Sequence, residues 1–208
     1  MDKKELLLRW KKEEIITSKK VLFAFDKVQR ENFVPKEYKN EAYRDYPLPI
    51  GSNQTISQPT TVAIMTQALG VREGQKVLEV GTGSGYQAAI LSVLVGENGR
   101  VFSVEIIPPL AQEARHALKG YKNVKVILGD GSVGYKKEAP YDRIIVTAAC
   151  PKILEKLVLQ LQIGGILVAP VGSEYHQDML KVKKLKNKIR VENLGGFLFV
   201  PLKGKEGY

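Results

Sequence analysis

The sequence contains little cysteine and no long apolar run. Its single thiol, Cys150, cannot form an internal disulfide, and without neighbouring His or Cys ligands it makes no zinc site. No apolar stretch reaches the roughly 18 residues that cross a bilayer, and the first residues lack a signal peptide's apolar core and cleavage site. We therefore expect no disulfide, no bound metal, no membrane partner and a cytoplasmic location.

The chain is basic, with a net charge of +10 over 208 residues, of which 44% are hydrophobic. This length and apolar content fit one globular domain with a sizeable core. Clustered lysines would favour nucleic-acid binding, because they neutralise phosphates and release counterions. Here the lysines are scattered and mixed with Glu or apolar residues, as on a solvated surface. We expect a monomer with no nucleic-acid partner.

The first part of the chain has a helical pattern. Val21, Phe25 and Val28 recur at spacings of four and three, which places them on one helix face. A polar loop, PLPIGSNQTISQ, follows, and Pro59 then begins a helix that should end at Gly70. This pattern predicts that Ser57 lies just before a helix N-terminus.

From Lys76 onward, short β-rich runs alternate with helical stretches, which is typical of a parallel sheet with crossover helices. The predicted strands are residues 76–80, 100–105, 124–128, 141–146 and 166–170, and the predicted helices are residues 86–94, 109–118 and 152–161. Beyond Gly172, about two or three further strands joined by tight loops should pair antiparallel. The sequence therefore predicts an α/β sheet of about seven strands.

A glycine-rich turn, Gly81, Gly83 and Gly85, follows the first strand of this sheet, where the backbone can approach a ligand. The third glycine comes one residue too early for a dinucleotide motif, which disfavours NAD. Glu79 lies in the last residues of a strand buried on both faces, so its carboxylate needs a partner. The ammonium of S-adenosylmethionine is one such partner, and a carboxylate that caps its own loop is the alternative.

Two further acids end the next strands. Glu105 lies about twenty residues beyond the glycine turn, where an acid accepts the hydroxyls of a ribose, although it could be a surface glutamate. Asp130 could accept from an adenine amino group, although Asp-Gly is also a common turn dipeptide. Together with Glu79 they converge on the edge where open α/β sheets bind ligands. This convergence predicts an S-adenosylmethionine site.

Seven segments resemble the successive motifs of protein-L-isoaspartate O-methyltransferases: YRDYPLPIGSNQTISQP, VLEVGTGSGYQAAIL, VEIIPPLAQEA, VILGDGSVG, APYDRIIVTAACP, GGILVAPVG and FLFVPL. The resemblance implies a Rossmann-like class I methyltransferase fold, mostly parallel and seven-stranded, with helices on both faces and an N-terminal helical extension. It divides one domain into N-terminal helices and an active-site loop (1–70), a cofactor-binding core (71–172) and C-terminal antiparallel strands (173–208). The implied substrate is a damaged protein that contains isoaspartate.

The resemblance also implies roles for particular residues. Ser57 matches the active-site serine, although it could simply cap the helix that follows. The implied cofactor-binding residues are Thr55, Ile56, Ser57, Gln58, Glu79, Gly81, Gly83, Ser84, Gly85, Glu105, Ile106, Asp130 and Gly131. The implied substrate-binding residues are Ser57, Thr147, Val200 and Pro201, although the last two could belong to an ordinary closing strand.

Methyl transfer to a carboxylate needs no strong base, because a carboxyl with a pKa of about 3.5 to 4 is ionised at neutral pH. Ser57 is then expected to hold the substrate carboxylate, together with free amides at the start of the following helix. S-adenosyl-L-homocysteine would be the product. The rivals are a tRNA adenine methyltransferase, whose cofactor motifs are similar, and a non-catalytic protein that kept the fold.

Overall fold

The computed structural model describes all residues, 1–208, and begins with a helical region. Two helices, α1 (Lys3–Lys12) and α2 (Lys19–Lys27), are followed by two 3-10 turns, Arg30–Asn32 and Lys36–Glu41. Next come two short antiparallel strands, β1 (Leu48–Pro49) and β2 (Thr55–Ile56), and then helix α3 (Pro59–Leu69). Val21, Phe25 and Val28 are all buried, as their spacing predicts. Gly70 ends α3 with a φ of 60°, which confirms the predicted left-handed stop.

The remainder of the chain forms the main sheet and its helices. In order, the elements are β3 (Lys76–Val80), α4 (Tyr86–Val95), β4 (Arg100–Glu105), α5 (Pro108–Ala117), β5 (Val124–Leu128), β6 (Tyr141–Val146), α6 (Glu155–Gln160), β7 (Leu161–Ser173), β8 (His176–Lys184) and β9 (Ile189–Phe197). The seven strands lie in the order β5-β4-β3-β6-β7-β8-β9. The strand pairs from β5 to β7 are parallel. Strand β8 pairs antiparallel with β7, and β9 pairs antiparallel with β8. The predicted fold class is confirmed.

The boundaries of β7 differ from the prediction. This strand begins at Leu161, which pairs with Tyr141, rather than at Ile166. Helix α6 is shorter than the predicted range of residues 152–161, because it begins at Glu155 and ends at Gln160, directly before β7. The apolar spacing before Gly164 is compatible with a helix, but burial of Leu161 and its pairing with β6 favour a strand there.

Helices cover both faces of the sheet. Apolar side chains from α1 through α5 form one buried cluster, whereas α6 packs into a second cluster on the opposite face. The N-terminal helices join the core through edge-to-face aromatic contacts, Trp10 with Phe25 and Phe25 with Tyr86. The N-terminal region is thereby packed beside the first turn of α4. None of the helices combines the length and the apolar character needed to span a bilayer.

The chain after β9 leaves the sheet and returns to the end of β6. The Ala149 amide donates to the Val200 carbonyl at 2.8 Å, and the Leu202 amide donates to the Ala149 carbonyl at the same distance. A parallel bridge between Ala149 and Pro201 completes this contact. Residues 198–202 are therefore a crossing segment over the carboxyl edge of the sheet, and the closing strand is β9.

Candidate active site

A cleft of about 870 Å³, partly open to solvent, lies at the carboxyl edge of strands β3, β4 and β6. It is closed on one side by the loop before α3 and on another by the crossing segment. All but three of the predicted site residues line it: Thr55, Ile56, Ser57, Glu79, Gly81, Gly83, Ser84, Glu105, Ile106, Gly131, Thr147, Val200 and Pro201. Gln58, Gly85 and Asp130 lie outside the lining.

The glycine turn requires glycine for two different reasons. Gly81 has a φ of 93°, and a Cβ there would lie 2.5 Å from the hydroxyl oxygen of Thr147. That hydroxyl donates to the Gly81 carbonyl at 2.5 Å, so Thr147 holds the turn against the end of β6. Gly85 instead begins α4, where a Cβ would lie 2.9 Å from Leu118. Gly81 thus shapes the cleft, whereas Gly85 lets α4 pack against α5.

Glu79 is a fully buried acid with one unused oxygen. Its Oε2 accepts from the Ser103 hydroxyl at 2.5 Å, and Ser103 in turn hydrogen-bonds Thr82 at 2.5 Å. Its Oε1 is buried without any hydrogen-bond partner, although the residue lines the cleft. Burial and the nearby charge of Glu105 raise the Glu79 pKa to about 8, although the hydrogen bond from Ser103 acts to lower it. The carboxyl does not cap its own loop, and its free oxygen suits a cationic ligand group.

Glu105 is held in place by two backbone amides. Its Oε2 accepts from Gly83 at 2.8 Å, and its Oε1 accepts from Ile107 at 2.9 Å. The residue is only 5% exposed, so it is not a surface glutamate. Each carboxylate oxygen retains a second lone pair, which leaves both oxygens able to accept from ligand hydroxyls. The arrangement ties the end of β4 to the glycine turn of β3.

Asp130 serves the turn that follows it. One carboxylate oxygen accepts from the Ser132 amide at 2.9 Å and hydroxyl at 2.6 Å, and the other accepts from the Lys205 amide at 2.9 Å. Burial alone would raise the Asp130 pKa, but these hydrogen bonds outweigh it and lower the pKa. The neighbouring Gly131 lines the cleft in its place. The turn alternative describes Asp130 in this structure, and an adenine contact stays a prediction.

Ser57 is half-buried in the cleft wall and does not cap α3. The N-cap residue is Gln58, and no side chain caps the helix. Two positions at the start of α3 cannot offer an amide to a ligand, because Pro59 has no N–H and the Thr60 amide already donates to Asp45 at 3.0 Å. Asp45 therefore already occupies part of this helix start, whereas Ser57 lines the cleft. Help from the remaining amides stays a prediction.

Some cleft residues are not among the predicted site residues. Gln54, Tyr86, Gln87, Phe199 and Lys203 also line the cleft. The first four belong to the motifs that contain predicted site residues, since Tyr86 and Gln87 directly follow Gly85 and Phe199 directly precedes Val200. That adjacency could have identified them, whereas Lys203 lies outside the motifs.

The family model described as protein-L-isoaspartate(D-aspartate) O-methyltransferase matches residues 1–207. The chain belongs to this family. A relative from Archaeoglobus fulgidus, protein-L-isoaspartate O-methyltransferase 2, is 52% identical over 209 residues, covering 100% of this chain and 95% of that protein. Protein-L-isoaspartate O-methyltransferase from Methanothrix thermoacetophila is 54% identical over 193 residues, covering 92% of this chain and 91% of the relative.

Solved structures agree with the family assignment. A protein-L-isoaspartate O-methyltransferase matches with a TM-score of 0.90 and 30% identity, covering 99% of this chain and 67% of that one. A Plasmodium falciparum member, solved with S-adenosyl-L-homocysteine, matches with a TM-score of 0.85 and 26% identity over 98% and 99% of the two chains. The chain therefore has the class I methyltransferase fold of these structures.

The cleft fits the cofactor of such enzymes in two respects. The unpartnered Oε1 of Glu79 supplies an acceptor for a cation, and Glu105 supplies acceptors for hydroxyls. These features come from adjacent strands and face one cavity. The residues present therefore suit a nucleoside that carries a positive charge.

Proposed function

We propose that this protein transfers a methyl group from S-adenosylmethionine to the free α-carboxylate of L-isoaspartyl residues in damaged proteins. The product ester closes spontaneously to a succinimide, whose hydrolysis partly restores normal aspartate. One observation carries the proposal: the family match runs through both the glycine turn and the QTIS loop, which face each other across a single cleft. No feature of the cleft favours the tRNA adenine methyltransferase alternative.

When bound, S-adenosylmethionine supplies a methyl group activated by a positively charged sulfur, and S-adenosyl-L-homocysteine is released. The chain's contribution at this side of the cleft is binding and orientation. Glu79 Oε1 would accept from the ammonium, and the Glu105 oxygens would accept from the ribose hydroxyls. Thr147 donates to the Gly81 carbonyl and so holds the glycine turn in place beside the cofactor side of the cleft.

On the acceptor side, the chain has to hold a carboxylate rather than deprotonate one. The Ser57 hydroxyl would donate to this carboxylate and orient it without removing its charge. Val200 and Pro201 cover the cleft with apolar surface. Excluding water matters, because methyl transfer joins a cation to an anion, and water stabilises the separated ions more than the charge-dispersed transition state.

The partner and location predictions remain part of this proposal. The proposed partners are damaged proteins or peptides that contain isoaspartate, and no nucleic acid. The proposed oligomeric state is a monomer. The expected location is the cytoplasm. The division into N-terminal helices, core and C-terminal strands within one domain is likewise retained as a proposal.

A labelling experiment tests the function. The protein is incubated with methyl-labelled S-adenosylmethionine and, separately, with an isoaspartyl peptide, its normal aspartyl twin and tRNA. Label on the isoaspartyl peptide alone, released as methanol in mild base, is the expected result. Base-stable label on tRNA would reverse the proposal, and the absence of label on every acceptor would leave a binding protein.

A further inference from the structure

Arg30 is a buried cation with no carboxylate partner. Its side chain is 0% exposed, and none of the ion pairs in the chain includes it. Burial lowers the Arg30 pKa to about 10, although nearby Tyr86, Tyr43 and Asp45 act to raise it. The guanidinium therefore stays charged at neutral pH. Asp45 does not neutralise it, because that carboxylate pairs with Arg9. An uncompensated buried charge is costly and calls for a reason.

The neighbours of this guanidinium connect it to the acceptor side of the cleft. Nη2 donates to the Ser57 carbonyl at 2.8 Å, and Nε donates to the Ala42 carbonyl at 2.7 Å. The guanidinium carbon lies 5.0 Å from the centre of the Tyr86 ring, which lines the cleft. Nη1 is buried with no partner. Neutral carbonyls and a ring orient the cation but do not cancel its charge.

We propose that Arg30 is a positioning residue that fixes Ser57 and places an uncancelled positive charge behind the binding site for the substrate carboxylate. The inference rests on the proposed function. A fixed cation close to Ser57 favours any acceptor that carries a full negative charge, because the interior screens it weakly. It would thereby select the isoaspartyl α-carboxylate over an uncharged group of the same shape.

The alternative is a purely architectural role, in which Arg30 joins the Ala42 and Ser57 loops and its charge is incidental. The two roles differ in what they do to selectivity. An architectural loss disturbs the binding of every acceptor equally, whereas loss of the charge weakens only the charged acceptor. A pair of ligands that differ in this one charge therefore separates the two roles.

The test uses an isoaspartyl peptide and its isoasparagine counterpart, in which the α-carboxylate is a carboxamide. Calorimetry measures the binding of both peptides to protein saturated with S-adenosyl-L-homocysteine, so that no transfer occurs. In Arg30→Met, the carboxylate peptide should bind about tenfold more weakly. The carboxamide peptide and the cofactor should change by less than about twofold. Arg30→Lys keeps the positive charge but not the planar guanidinium with its fixed N–H donors. This variant should restore part of the preference for the carboxylate peptide over the carboxamide peptide.

Arg143→Met is the matched control, because Arg143 is also buried but donates to the Gly70 carbonyl, outside the cleft. This variant should lose stability without a change in peptide preference. If Arg30→Met does not fold, Arg30→Lys and Arg30→Gln are compared by the same ratio. If the ratio of the two peptides' affinities is the same in the wild type and in the variant, the inference is overturned, even where both peptides bind more weakly. Failure of the wild-type protein to bind the isoaspartyl peptide would instead overturn the proposed function.

Discussion

Asp45 accepts a hydrogen bond from the backbone amide of Thr60 at 3.0 Å, and so occupies the start of helix α3. It also accepts from the Thr60 hydroxyl at 2.6 Å and pairs with Arg9. The indole of Trp10 donates to the same hydroxyl at 2.7 Å. The turn that carries Ser57 is therefore attached to α1 on one side and to Arg30 on the other. Rigid support of this kind is what a positioning hydroxyl needs.

Replacing Asp45 with Asn should destabilise the protein by about 1 kcal/mol at pH 7, because an anion at a helix N-terminus and its charged hydrogen bonds are lost. Burial raises the Asp45 pKa, but the hydrogen bonds from Thr60 and Arg9 outweigh it and lower the pKa. Its stabilisation is therefore present above the unfolded pKa and is lost as the pH falls through the folded one.

Denaturant unfolding of the wild type and Asp45→Asn across pH 2 to 7 checks this expectation. The difference in unfolding free energy should be full at neutral pH and should shrink below about pH 4. Glu37→Gln, which neutralises an exposed carboxylate, is the control and should change little. A difference that persists unchanged at the lowest pH would show that the charge of Asp45 is not what stabilises α3.

Ser57→Ala should lower turnover on an isoaspartyl peptide by about a hundredfold, because a hydroxyl that orients the reacting carboxylate acts mainly in the transition state. Cofactor affinity should remain within about twofold, since the proposed contact of the side chain is with the acceptor. Steady-state kinetics and calorimetry measure the two quantities. Ser52→Ala, an exposed serine of the same loop outside the cleft lining, should leave both unchanged. Full turnover by Ser57→Ala would contradict the assignment.

Much of the fold follows from local pattern. Strands β3 to β6 have the predicted bounds because each is a short β-rich run bordered by turn residues. The acids Glu79 and Glu105 could be placed for the same reason, since the carboxyl ends of neighbouring parallel strands share one edge. For these strands, the local sequence pattern and the packing of the folded chain favour the same structure.

What could not be predicted depends on contacts between distant segments. Arg30 is one charged residue in a polar turn, and only packing against Tyr86 shows that it is buried. Asp130 interacts with Lys205, a partner 75 positions away that no spacing rule connects to it. The occupied start of α3 was missed because Asp45 precedes Thr60 by fifteen residues across a loop of unknown path.

Glu105→Gln should weaken S-adenosylmethionine binding about tenfold, because the carboxylate would accept from the ribose while holding the Gly83 and Ile107 amides. A neutral amide has one acceptor oxygen and would have to present an N–H to one of these donors. Calorimetry with S-adenosylmethionine measures the change. Glu113→Gln, on the exposed face of α5, is the control. Unaltered affinity in Glu105→Gln would remove the ribose assignment.

Glu79 should make cofactor binding release a proton. Its folded pKa is raised to about 8 from an ordinary value near 4.5, first by burial and then by the charge of Glu105. Between these values the folded protein holds a proton that the unfolded chain lacks. Its stabilisation is thus full below the unfolded pKa and is lost as pH rises through the folded one. A bound ammonium favours the carboxylate and lowers this pKa.

Calorimetry at pH 7 in buffers of different ionisation enthalpy measures this proton. The wild type should release up to about one more proton on binding S-adenosylmethionine than Glu79→Gln, which keeps the shape but cannot titrate. The ligand's own titration is common to both proteins, so the difference isolates Glu79. Stability should also fall more steeply with pH in the wild type than in Glu79→Gln between about pH 4.5 and 8. Identical proton release by the two proteins would show that the ammonium does not reach the free oxygen of Glu79.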